Sequence, residues 1–293
     1  MVTAPSPKDL TSGRSFLHRH RLLTFFFAAY ALMWACFFTV AGARIPANTL
    51  LGAFLLYLGT FAPSLAALWL TARSEGEAGV RMLLARVAQW RVGWQWYLFA
   101  AGYIVTLKLT VALIYRMATG GWPRFGTDPW YLMLGAVFIS TPVQAGEEIG
   151  WRGYALPRLA ARFGWAWASI FLGLIWAFWH LPQFFIREAD TYGQSFLIFV
   201  LQVTALSVAM AWLYMRTNGS LLLTMLLHAA VNNTKDIVPS SLPGGTYSFG
   251  LSASPVAWLT VTLLWVCAGY FLARMVRSSQ HSAVSIQPAN PSG

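Results

Sequence analysis

Glu147, Glu148, Arg152, His180, His228 and Asn232 have the types and the spacing for proton-transfer chemistry. The first three stand in "AGEEIGWRG" (145–153), at the end of the apolar run "WYLMLGAVFISTPVQAG" (130–146). The chain has 9 acidic residues. Apart from Glu147 and Glu148, all of them fall in expected loops or tails. Ionisable groups inside a membrane segment are costly, and by default they mark function and need a partner. The same filter leaves His180, in "LIWAFWHLPQFF", and His228, in "LLLTMLLHAAVNN"; the other histidines, His18, His20 and His281, lie in the tails.

Helical spacing sorts these groups. Glu148 and Arg152 are four residues apart, so they share a face and can pair. Glu147 is turned by about 100° from Glu148 and faces elsewhere. His228 and Asn232 are also four apart and look into one space, and Trp176, one turn before His180, can wall it. A carboxylate, two histidines and an amide in a dry cavity suit hydrolysis. Glu147 is the candidate general base for water, helped by His180. His228 and Asn232 are candidate donors to the oxyanion of a tetrahedral intermediate. Arg152 tunes the site through Glu148. Zinc is an alternative that the residues alone leave open: Glu147, His180 and His228, with water in the fourth position, form a catalytic donor set.

The elements that must position these residues are membrane spans. The chain is 57% hydrophobic and 10% charged, with mean hydropathy +0.56. Soluble domains are about 25% charged. The composition therefore predicts an all-α polytopic membrane protein. Apolar runs of about 20 residues give about eight spans, near 22–41, 49–72, 96–115, 130–156, 167–185, 196–215, 219–233 and 255–275. "AGA" at 41–43 resembles a signal-peptide cleavage site, but the preceding apolar run is too long for a signal core, which favours an uncleaved first span. Residues 1–20 and 278–293 read as disordered tails flanking a membrane domain over 21–277.

The net charge of +11 reads as a topology signal. The basic residues scatter through short loops, fourteen on the side of both termini against five on the other. That bias predicts cytoplasmic termini and excludes a nucleic-acid footprint. Residues 80–91 place Val80, Leu83, Leu84 and Val87 at helical spacing between arginines, the pattern of an amphipathic helix on the membrane surface or equally of a solvated connecting helix. Cys36 and Cys267 lie in apolar runs and read as small buried hydrophobes. Lys108, inside the third span, reads as snorkelling or locally paired.

Taken in order, Glu147-Glu148-x-x-x-Arg152, Trp176-x-x-x-His180 and His228-x-x-x-Asn232 resemble the three motifs of the CPBP (CAAX-protease and bacteriocin-processing, or Abi) family of intramembrane proteases. Those motifs are EExxxR, FxxxH and HxxxN/D. The departure is Trp176 where the family has Phe. The likeness covers about 130–235. It implies a CAAX-protease-like helical bundle in a bacterial plasma membrane, working among membrane lipid on a membrane-bound peptide or protein, of the prenylated or the bacteriocin-like kind. It implies glutamate-dependent hydrolysis, with Glu147 as base, His180 as its partner, and His228 and Asn232 on the oxyanion side. The family is called metalloprotease by convention. Two other readings stand beside it: a non-catalytic scaffold or bacteriocin-immunity factor, since a fold does not guarantee activity, and a proton-coupled transporter, since buried Glu and His also serve relays. No pair of matching half-helices supports the transporter.

Overall fold

The computed structural model describes residues 20–240, 252 and 254–284, with backbone alone at 279–284. Most of the two expected tails lies outside the described residues. The described chain is all-helical, without a β-strand. Its long helices are α1 (Arg21–Gly42), α2 (Leu50–Thr60), α3 (Ala62–Ala85), α4 (Trp94–Thr119) and α5 (Trp130–Ser140). A 3₁₀ turn (Thr141–Gln144), a single α-turn, α6 (Ala145–Glu148), and a π-helical segment (Ile149–Ala155) lead into α7 (Leu156–Trp179). Then come α8 (Phe196–Arg216), α9 (Leu221–Thr234) and α10 (Pro255–Val284), the last running past the expected end of the membrane domain.

Among the described residues, five helical stretches are long and apolar enough to cross a membrane: α1, α4, the run from Trp130 to Phe185, α8 and α10. A sixth arises if α2 and α3, bent by 52°, are counted together. The 56-residue run holds the expected fourth and fifth spans. They part at Gly164, whose φ of 76° and ψ of 159° are open only to glycine. The expected seventh span is α9. Its 14 residues reach about 21 Å at 1.5 Å per residue, short of a bilayer core of about 30 Å. It is nonetheless enclosed: Leu221, Leu223, Leu227, Ala229 and Ala230 are fully buried by neighbouring helices. Protein packing therefore replaces lipid around the helix that carries His228.

The surface agrees with a lipid solvent. Leu50, Phe54, Trp94, Met117, Trp130 and Ile139 are among many large apolar side chains left exposed, a pattern a water-soluble protein would not sustain.

Three sets of contacts fix the elements around the site. Trp179 Nε1 donates to the Ala29 carbonyl and Trp34 Nε1 to the Trp179 carbonyl, each at 3.0 Å, bolting the end of α7 to α1. Glu75 of α3 binds Arg158 at 2.7 Å and approaches Arg21 at 3.7 Å. Residues 86–89 hold the start of α9: Leu221 N donates to Arg86 O at 3.0 Å and Ser220 Oγ to Gln89 O at 2.7 Å. The stretch expected as a surface helix is thus half docked. Leu83 is buried against the π segment, Arg86 bonds the Tyr214 hydroxyl, and Met82 and Leu84 stay exposed.

Candidate active site

The double-glutamate motif sits where the backbone changes register. A π segment holds one more residue per hydrogen-bonded turn than an α-helix, and such segments recur at functional sites. The glycines of the motif let α3 lie flush against it. A Cβ on Gly150 would stand 2.5 Å from Pro63 backbone and side-chain carbons, closer than any real contact. This close packing excludes solvent behind the two carboxylates.

The two glutamates face different surroundings. Glu148 is wholly buried. Its Oε1 accepts from Arg152 Nη1 at 2.8 Å and from His228 Nδ1 at 2.9 Å. Arg152 is equally buried, with its guanidinium carbon 4.1 Å from the centre of the Trp176 ring. Glu147 turns instead to the cavity. Its Oε2 accepts from Trp176 Nε1 at 2.7 Å and lies 3.9 Å from His180 Nε2.

Hydrogen-bond partners fix the imidazole protons. His180 Nδ1 lies 2.7 Å from the Trp176 carbonyl. A carbonyl only accepts, so Nδ1 carries the proton and Nε2 of the neutral ring presents a lone pair toward Glu147. His180 caps the end of α7, and the rings of Trp176, Trp179 and Phe199 pack edge-on to it. His228 likewise spends Nδ1–H on Glu148, which leaves Nε2 for the cavity.

Glu147, Trp176, His180, His228 and Asn232 line one cavity of about 560 Å³. Asn232, the most exposed of them, donates to Gln144 Oε1 at 3.4 Å. Asn233 beside it also lines the cavity and donates to Ser140 Oγ at 2.8 Å. All six residues singled out from sequence therefore converge: four line the cavity, and Glu148 with Arg152 lies behind them.

The role of Trp176 was legible only as a wall. Its indole N–H holds Glu147, its carbonyl holds His180, its face meets Arg152, and His228 packs against it with ring centres 5.2 Å apart. Phenylalanine at this position has no N–H to give.

A zinc ion on Glu147, His180 and His228 is the alternative chemistry. Two imidazole Nε2 atoms and a carboxylate are suitable donors in kind. Among the described residues, however, no three His, Cys, Asp or Glu side chains come together as a group able to hold a metal ion. The arrangement does not gather the zinc set.

Fold and cavity define a class: a multi-pass helical membrane protein with a buried glutamate–histidine site. Residues 126–234, less than half of the chain, match the family model described as type II CAAX prenyl endopeptidase Rce1-like. A similar protein is CAAX prenyl protease 2 of Methanococcus maripaludis, 28% identical over 126 residues. That alignment covers 41% of this chain and 45% of the relative, so the likeness spans less than half of either protein.

Proposed function

We propose that the chain is an intramembrane endopeptidase that hydrolyses a peptide bond of a membrane-associated substrate by glutamate-activated water. The observation that carries this reading is the 3.9 Å gap between Glu147 Oε2 and the bare Nε2 of His180, in a cavity shared with His228 and Asn232. The gap is too long for a direct hydrogen bond and suits a water that bonds to both.

In the proposed reaction, Glu147 takes a proton from that water as its oxygen attacks the scissile carbonyl carbon. His180 Nε2 accepts the second water hydrogen bond and orients the attack. The tetrahedral oxyanion is met by Asn232 Nδ2–H and by His228 Nε2 in its imidazolium form, for which the Glu148 carboxylate at Nδ1 is the counter-charge. When the C–N bond breaks, the proton on Glu147 passes to the leaving amine. Arg152 neutralises Glu148 and stacks on Trp176, and Trp176 holds the Glu147 carboxylate in place. No metal enters these steps.

The match of residues 126–234 to the Rce1-like family model supports a CAAX-type substrate: a peptide or protein held at the membrane by lipid, cut near its carboxyl end. The positive-inside bias supports termini on the cytoplasmic side of the membrane.

The test is cleavage in proteoliposomes, with peptide products identified by mass spectrometry. Wild-type protein is expected to release product, and His228→Ala to lose it while still inserting in the membrane. Undiminished cleavage by His228→Ala would refute the assignment. A cellular phenotype that survives the substitution would favour a scaffold.

A further inference from the structure

Lys108 stands near the middle of α4 and is 4% exposed, so it does not snorkel to an interface. Its ammonium donates to the Val238 carbonyl at 3.0 Å, to Ser240 Oγ at 2.7 Å and, at 3.4 Å, to Thr260 Oγ1. All three acceptors are neutral. Among the described residues no carboxylate lies within ion-pair distance of it. A buried cation normally finds a counter-charge. Neutral acceptors alone could be served by an uncharged side chain.

Lys108 lines the same cavity as Glu147, His180 and His228. Among the described residues the cavity has one other lysine and no arginine; that lysine, Lys235, is paired with Asp190 at 3.0 Å. Asp236 shares the wall with Lys108 but stays outside ion-pair distance. The cavity therefore has a hydrolytic end and, apart from it, one cation that is not committed to a carboxylate.

From these observations we infer that Lys108 is an anion subsite that takes the terminal carboxylate of the peptide being cut. The inference rests on the endopeptidase reading. A terminal carboxylate is the anion that every peptide carries whatever its sequence, and an ammonium in a low-dielectric wall recognises it strongly.

The experiment uses the full-length protein in proteoliposomes and a lipidated peptide mixture randomised over its last four positions. The mixture is made twice, once with a free carboxyl terminus and once as the carboxamide. Wild-type protein is expected to cleave the acid about tenfold or more better than the amide in kcat/KM, as loss of a charge-assisted bond implies. In Lys108→Met the ratio falls toward one, and in Lys108→Arg, which keeps the cation, it stays above the Met value. A wild-type ratio near one overturns the subsite while leaving the endopeptidase reading intact, and it decides the matter even if Lys108→Met does not fold. A ratio that Lys108→Met leaves at the wild-type value also overturns it. Cleavage of neither mixture by wild type overturns both readings.

Discussion

Glu147 and Glu148 are chain neighbours, yet they occupy opposite kinds of surroundings. Glu148 is sealed behind the cavity with two nitrogen partners, Arg152 and His228. Glu147 looks into the cavity and is held by a single neutral donor, the Trp176 indole. A carboxylate tied to a buried guanidinium is a poor proton acceptor and a good scaffold; one held lightly beside an unprotonated imidazole nitrogen can take a proton and return it. One step along a helix, about 100° of rotation, separates architecture from chemistry.

Substitutions on the two sides should diverge. The largest effect belongs to the sealed side. Arg152→Met removes one partner of a buried ion pair and strands Glu148, which typically costs about 3–5 kcal/mol. A large drop in thermal midpoint in detergent is expected, with activity lost alongside. An unchanged midpoint would mean that Glu148 is not held as described. On the cavity side, Trp176→Phe keeps the ring and removes only the N–H. A hydrogen bond to a charged group is worth about 1.5–3 kcal/mol, so kcat should fall about 10- to 100-fold with KM and thermal midpoint little changed. In a Glu147→Gln background the same change should add almost nothing, because the bond it removes serves Glu147. At Gly150→Ala the effect on the site's chemistry should be smallest, but the added methyl would stand 2.5 Å from the Pro63 backbone, which cannot swing aside as a flexible side chain can. Overpacking costs about 1–3 kcal/mol or more, read as a lowered thermal midpoint.

Much of this was legible in the residues. The apolar runs foretold an all-helical membrane bundle, and each expected span corresponds to helix. Spacing of four residues foretold the Glu148–Arg152 pair and the shared outlook of His228 and Asn232. Three things were not legible. The π segment escapes any pattern that assumes 3.6 residues per turn. The bond from His228 to Glu148 and those from Lys108 to Val238, Ser240 and Thr260 join residues 80 or more positions apart, and one sequence carries no sign of such contacts. The Trp176 N–H was visible in the residue type, but only coordinates could aim it at Glu147. The shortness of α9 is also a packing effect. Its apolar residues look like a lipid-facing span, and neighbouring helices bury them instead.

The central claim is that Glu147 is the reacting carboxylate and Glu148 the structural one. It is tested most directly by measuring single-turnover cleavage and thermal midpoint on the same preparations of wild type, Glu147→Gln and Glu148→Gln. The account predicts that Glu147→Gln loses at least about a thousandfold in rate, on the scale of losing a general base, with its midpoint within a few degrees of wild type. Glu148→Gln should lose midpoint together with rate. Wild-type cleavage by Glu147→Gln, or a collapse in stability confined to it, would contradict the assignment.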